Sequence, residues 1–231
     1  TLPKKEEPNK EILKPSSSGR SHLLNDSLRN QLSSILSKMQ NEVTLITIVD
    51  PNNSKSIELR DLVLDIADLG EKLKAEVYIK GNTKSIEEKI NADKYPVVGL
   101  LDKDRNYSGV KFHGVPGGHE LNSFILAIYN LSGPGQAIEP TNLKAIKNIN
   151  NKINLKVCVS LSCHLCPDVV ASAQRIAIEN PNVEAEMLDL ANFDEIKTKY
   201  KLMSVPAIIV NNKDVYFGAK KIDEIINLIN K

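Results

Sequence analysis

The stretch Ser160-Leu161-Ser162-Cys163-His164-Leu165-Cys166-Pro167-Asp168 follows a strand-like apolar run and opens a helix-like one. Two cysteines three positions apart at a helix start have Cβ atoms close enough to join in a disulfide, and the helix start offers unpaired N–H groups and a partial positive charge. That field favours the thiolate at Cys163. In Cys-x-x-Cys sites of this kind the outer thiol falls from about 8.5 to between roughly 3.5 and 7.5, which makes it a nucleophile near neutrality. A protonated His164 adds to the effect, and Pro167 fits the first turn, where its missing N–H costs at most one intrahelical bond. The chemistry this points to is thiol–disulfide exchange: Cys163 attacks a partner disulfide, and Cys166 then attacks Cys163 to release the reduced partner.

Two other readings compete for the same residues. Structural zinc needs four ligands, and Cys158, Cys163, His164 and Cys166 lie too near one another for the usual two-knuckle spacing, so no metal is expected. An inert structural disulfide would close a loop too short to restrict the unfolded chain much, and is uncommon in a reducing compartment. Cys158, between Val157 and Val159, reads as a buried core thiol outside the chemistry.

The elements that must position the pair come from a chain of 231 residues, 41% hydrophobic and 26% charged, with a net charge of +1. That is enough for one large or two small globular domains, and it carries no electrostatic footprint for nucleic acid or a membrane surface. No apolar run reaches the length of a membrane span and no signal-peptide core is present, so the cytoplasm is the expected location. Residues 1–21 are polar and Pro/Ser-rich and are expected to form a flexible linker.

From Asn25, a candidate cap, Leu28, Leu32, Ile35, Leu36 and Met39 fall on one helical face. Val43 to Val49 reads as a strand covered on both sides, and Asp50-Pro51-Asn52-Asn53 as a turn. A helix through Leu59 to Leu69 stopped by Gly70, a strand Ala75 to Ile79, a short helix Ile86 to Ile90, strands Val97 to Leu101 and Val110 to His113, and a helix through Leu121 to Ile128 follow. Gly133-Pro134-Gly135-Gln136 breaks the pattern, and after Pro140 the same order returns. It runs helix Asn142 to Ile149, strand Leu155 to Val159, helix Cys166 to Ile178, strand Val183 to Leu188, helix Phe193 to Tyr200, strands Ala207 to Val210 and Asp214 to Phe217, and helix Ile222 to Ile229. The chain is thus an internal repeat, divided as residues 22–133 without the cysteines and 134–231 with them.

Each half pairs a strand-to-helix corner with a proline that starts an apolar strand: Asp50 to Pro96 spans 46 positions and Cys163 to Pro206 spans 43. This plan resembles the thioredoxin fold, so the fold class expected is α/β, two tandem thioredoxin-like folds packed as one unit and joined rigidly through Gly133 to Pro140. The resemblance implies a cis peptide bond at Val205-Pro206, beside the dithiol, leaving backbone groups free to hold an extended substrate peptide.

The cysteine-free first half, Ser-Leu-Ser-Cys-His-x-Cys-Pro-Asp-Val-Val in the second, and Gly118-His119-Glu120 at the end of the first resemble the N-terminal domain of the flavoprotein subunit of alkyl hydroperoxide reductase. The likeness runs from about Leu24 to Asn230. It implies a tethered electron carrier: a flavin domain's dithiol reduces it, and it reduces a peroxiredoxin. Cys163 is then the attacking thiol, Cys166 the resolving one, and His164, Val205 and Pro206 meet the substrate. The chain has no Gly-x-Gly-x-x-Gly and no room for a flavin domain, so FAD and NAD(P)H are expected on an upstream or partner reductase. The polar tail precedes the fold, whereas the reductase's linker follows it; either the chain is a fragment or the order is swapped, and the swapped order is the expectation.

Thioredoxins keep a buried acid behind the dithiol, and the strand Leu155 to Ser160 offers none. The resemblance implies that Glu120 reaches across from the first half to take a proton from Cys166. The bland alternative makes Glu120 the N3 residue of a helix capped at Gly117. At the level of the whole chain, the competing functions are a freestanding disulfide reductase or isomerase fed by glutathione, and a docking module whose cysteines are incidental.

Overall fold

A computed structural model describes residues 20–231, so the expected linker lies outside the described residues except for Arg20 and Ser21. Ser21 does not behave as linker: it is buried and its N–H donates to Asp65 Oδ2 at 2.8 Å. The packed chain therefore begins earlier than composition indicates.

Among the described residues the first run is α1 (Asp26–Leu36), β1 (Val43–Val49), α2 (Lys55–Ala67), β2 (Leu73–Ile79), α3 (Lys84–Lys89), β3 (Val97–Leu101), β4 (Tyr107–His113) and α4 (Glu120–Ser132). The second is α5 (Pro140–Lys147), β5 (Ile153–Val159), α6 (Cys166–Glu179), β6 (Val183–Asp189), α7 (Asp194–Lys199), β7 (Ala207–Val210), β8 (Asp214–Phe217) and α8 (Ile222–Ile229). The two runs have one order, as the apolar periodicity indicates. The Asn25 side chain caps α1, accepting from Leu28 N–H at 2.8 Å. Leu32 and Leu36 of its apolar face are buried, as is Met39 just past the helix end, but Ile35, at the border of the stripe, is exposed. Helix α2 ends at Ala67 rather than running to Gly70, and α5 starts two residues early because Pro140 suits the first helical position.

All eight strands form one sheet in the order β2-β1-β3-β4-β6-β5-β7-β8. In each repeat a parallel pair (β1 with β2, β5 with β6) is followed by two antiparallel pairings. The seam between repeats is a parallel pairing of β4 with β6, Val110 opposite Ala185 through His113 opposite Leu188. Gly109 permits this approach: it has φ +82°, and a Cβ there would lie 2.5 Å from the Val183 carbonyl oxygen.

Strand alternation gives the sheet two different faces. On one, Leu45, Val98, Val110, Phe112, Val157 and Met187 join α1, α2, α4, α6 and α8 in an apolar core continuous across both repeats. On the other, α3 covers Ile46, Ile48 and Val97, and α7 covers Cys158, Leu188 and Ile209. Between α3 and α7 the seam carries charge. Lys111 approaches Glu186 at 3.4 Å and Glu184 at 3.5 Å, Lys156 approaches Glu186 at 3.1 Å, and His113 Nε2 lies 2.7 Å from Glu186. Lys111 also donates to the Ile90 carbonyl at the end of α3. The segment from α4 to α5 is held to both repeats, since Gln136 N–H donates to Asn130 Oδ1 at 2.7 Å and Arg175 donates to the Gln136 carbonyl at 2.8 Å.

Burial raises the Glu186 carboxyl, but His113, Lys111 and Lys156 outweigh it and hold the group far below the ordinary carboxylate range. The sign follows: a depressed carboxyl contributes stability above its unfolded pKa, and that contribution is lost as pH falls toward the folded value. Glu186→Gln leaves two buried ammonium groups without their shared counter-charge and is expected to cost about 3–5 kcal/mol at neutral pH. Urea titration measures this; a loss under about 1 kcal/mol, the size of an exposed pair, contradicts it.

Candidate redox site at the junction of the repeats

Strand β5 ends at Val159, the loop from Ser160 to Leu165 turns, and α6 starts at Cys166. Cys166 is the first helical residue and Pro167 the second; Cys163 lies in the turn before the helix rather than within it. The two are joined as a disulfide with Cα atoms 5.5 Å apart. Cys166 is fully buried and Cys163 partly exposed, so a partner disulfide reaches the outer sulfur only. Cys158 is buried, unpaired, and raised by burial to about 12, which leaves it a protonated core thiol at neutral pH.

Val205-Pro206 is a cis peptide, and so is Tyr95-Pro96 at the matching place in the first repeat. The repeat extends to hydrogen bonds: Pro206 O accepts from Gly218 N–H at 3.0 Å, and Pro96 O from Gly114 N–H at 2.9 Å. Because Ala207 pairs with Cys158, Pro206 sits beside the end of β5, where the cysteine loop leaves the sheet. A cavity of about 450 Å³ opens there, lined by Val159, Ser160, Leu202, Met203 and Val205 among others. Met203, on this cavity, is 87% exposed and Leu165, next to Cys166, is 59% exposed, two apolar side chains that periodicity could not disclose, since each is a single residue in a loop.

The first repeat reaches this loop through the turn before α4. Gly118 has φ +55°, and a Cβ on it would fall 2.7 Å from the Leu161 carbonyl oxygen. The His119 N–H donates to that same oxygen at 3.0 Å. The His119 ring meets the His164 ring with centroids 4.2 Å apart and planes tilted by 55°. Gly118 and His119 thus touch the Cys163 loop directly.

Glu120 follows as the first residue of α4, not the third, and it caps nothing: the helix is flanked by His119. Its side chain is fully buried; Oε2 accepts a short hydrogen bond from Ser123 Oγ, and Oε1 has no hydrogen-bond partner among the described residues. Burial pushes the carboxyl up to about 7, the Ser123 hydroxyl opposes the rise, and the charges of Asp189 and Asp168 add to it. A buried acid near 7 with a free oxygen is suited to take and return a proton at neutral pH.

Asp93, His113 and Glu186, on the far face of the sheet, have ligand-type atoms within 4.8 Å of one another. Both Glu186 oxygens already face ammonium groups, Lys111 and Lys156, so a divalent cation would enter against two buried positive charges. Among the described residues no helix is long and apolar enough to cross a membrane.

Comparison with known proteins places this geometry. The thioredoxin domain family matches residues 153–230. A protein disulfide oxidoreductase from Aeropyrum pernix shares the fold of both repeats, with a TM-score of 0.82 at 22% identity over 89% of this chain and 91% of that one. Fold and site together define a thioredoxin-fold protein built from two fused repeats, with a Cys-x-x-Cys disulfide in the second. The alkyl hydroperoxide reductase AhpF of Staphylococcus aureus is 30% identical over 205 residues, 89% of this chain and 37% of that protein. The crystal structure of the NTD_N/C domain of the Enterococcus faecalis reductase AhpF is 42% identical, with a TM-score of 0.85 over 89% of this chain and 99% of that one. The chain belongs to the family of the N-terminal domain of the alkyl hydroperoxide reductase AhpF, as the residues around Cys163 imply. It spans 37% of the length of the curated relative.

A carboxyl whose folded pKa of about 7 exceeds its ordinary 4.5 stabilises the fold fully below 4.5, and that contribution is lost as pH rises through 7. Wild type is therefore expected to lose on the order of 3 kcal/mol relative to Glu120→Gln across that window. Urea titrations of both proteins at pH values bracketing the window measure it; parallel stability curves contradict the buried, proton-binding carboxyl.

Proposed function

We propose that the chain carries electrons by dithiol–disulfide exchange from a flavin-dependent NAD(P)H reductase to the disulfide of a peroxiredoxin. One observation carries the reading. An accessible Cys163 is paired with a buried Cys166 in a chain of which 89% matches part of the alkyl hydroperoxide reductase AhpF. In the reduced protein the Cys163 thiolate attacks the partner disulfide, forming the Cys163–partner bond and releasing one partner thiolate. Cys166 then attacks Cys163 Sγ, displacing the second partner thiolate and restoring the Cys163–Cys166 disulfide; two electrons pass to the partner. FAD and NAD(P)H belong to the donor reductase, which regenerates the dithiol.

Three groups support these steps. His164, one residue from Cys163 and in solvent, stabilises the thiolate when protonated. Val205 lines the cavity, Pro206 follows it beside the end of β5, and the two hold the extended peptide that carries the partner disulfide. Glu120 accepts the Cys166 proton, so that the inner sulfur attacks as thiolate. The division into repeats at residues 22–133 and 134–231 then has a purpose: the first supplies the acid and the second the sulfurs.

Cys166→Ser is expected to trap the partner covalently on Cys163, and Cys163→Ser to trap nothing; mass spectrometry of non-reduced complexes reads the linkage, and the reverse pattern contradicts the assignment. Turnover of a peroxiredoxin disulfide that requires a flavin reductase with NAD(P)H supports the proposed route. Equal turnover driven by glutathione alone assigns the chain as a general disulfide reductase, and unchanged biological function in the double Cys→Ser variant assigns it as a docking module.

A further inference from the structure

We propose that His119, from the repeat without cysteines, is a positioning residue for the dithiol, acting through His164. The inference rests on the electron-carrier reading and deepens it. His164 is exposed, on a turn, and among the described residues its ring contact is with His119, at 4.2 Å between centroids. An exposed side chain samples several rotamers, and a cation that spends little time beside a sulfur stabilises its thiolate little. The His119 ring gives His164 a wall to rest on, and the backbone that carries the wall is fixed. The His119 N–H is tied to the Leu161 carbonyl at 3.0 Å, two residues before Cys163, and Gly118 before it allows an approach that a Cβ would block.

At 4.2 Å a neutral imidazole attracts a neighbouring imidazolium through its π-system, so the His119 ring holds His164 in place when His164 carries charge, and a charge held there favours the Cys163 thiolate. The other charged groups around the site include, among the described residues, Glu120 of α4, Asp168 of α6, Asp189 at the end of β6, and Lys55 and Glu58 of α2. None of them changes in the variants below.

The test is the pH profile of Cys163 alkylation by iodoacetamide in the reduced full chain, which reports thiolate formation directly. In His119→Ala the profile is expected to move to higher pH by about half a unit, the size that an exposed charge interaction supports. His164→Ala moves it in the same direction, and the double variant moves it no further than His164→Ala alone. His119→Phe keeps a neutral ring of similar size and restores the wild-type profile or lies below it. The backbone bond to Leu161 survives each replacement, and matching melting curves confirm folding; the Phe variant carries the test where the Ala variant fails to fold. A wild-type profile in His119→Ala, additive shifts in the double variant, or a Phe variant that behaves like Ala each overturn the proposal. The readout needs no partner, so a chain that proves unable to reduce a peroxiredoxin still reports on His119.

Discussion

Parallel pairing of β4 with β6 is the constraint on which the rest of the molecule depends. It converts two four-stranded sheets into one, so the apolar cores beneath α4 and α6 are continuous and the repeats have no independent orientation. The pairing aligns Lys111 with Glu186 on the far face, where three basic side chains converge on one buried carboxylate. A lone charge there would destabilise the seam; the converging set satisfies it and leaves few alternative registers, because a slip by one residue would bury Lys111 in the apolar core. The same seam sets α4 beside α6, which brings the turn before α4 onto the cysteine loop.

That placement lets a repeat without sulfur chemistry contribute to a redox site. The end of β5 carries no acid, and a carboxylate on that strand would lie in the core. In the proposed function Glu120 takes that place from the start of α4, buried enough that its proton is held to about neutrality and with one oxygen unpaired among the described residues. The cost is instability of the charged form, a common feature of functional groups held away from water. Around it, Gly118 and His119 dock on Leu161, so the proposed proton acceptor and the cysteine loop form one rigid unit.

Much of this is legible in the sequence, for identifiable reasons. Cys163 and Cys166 carry a motif whose spacing is itself chemistry, Asn25 is a local cap, and the apolar runs β1, β3, β5 and β7 need no tertiary information. Glu120 is reached through family resemblance, not through its local pattern, which suggests a helix cap that the structure does not form. The seam is not legible: Lys111 and His113 alternate with Val110 and Phe112 as solvent-facing residues do, and only the partner strand turns that polar face into an interior. Ser21 is hidden in a polar segment because its anchor, Asp65, is 44 residues away. The ring contact between His119 and His164 likewise joins residues 45 positions apart, and no periodicity records it.

The central claim is that the cysteine-free repeat supplies the acid that activates Cys166. Its most direct test starts from a preformed mixed disulfide between Cys163 and a small chromogenic thiol, and follows release of that thiol by Cys166 as a function of pH. In wild type the release rate is expected to rise through an inflection near the Glu120 pKa of about 7. In Glu120→Gln the inflection moves up toward that of an unassisted thiol, about 8.5 or higher, and release at neutral pH slows by at least about tenfold while the fold is retained. Superimposable profiles for the two proteins would contradict the account.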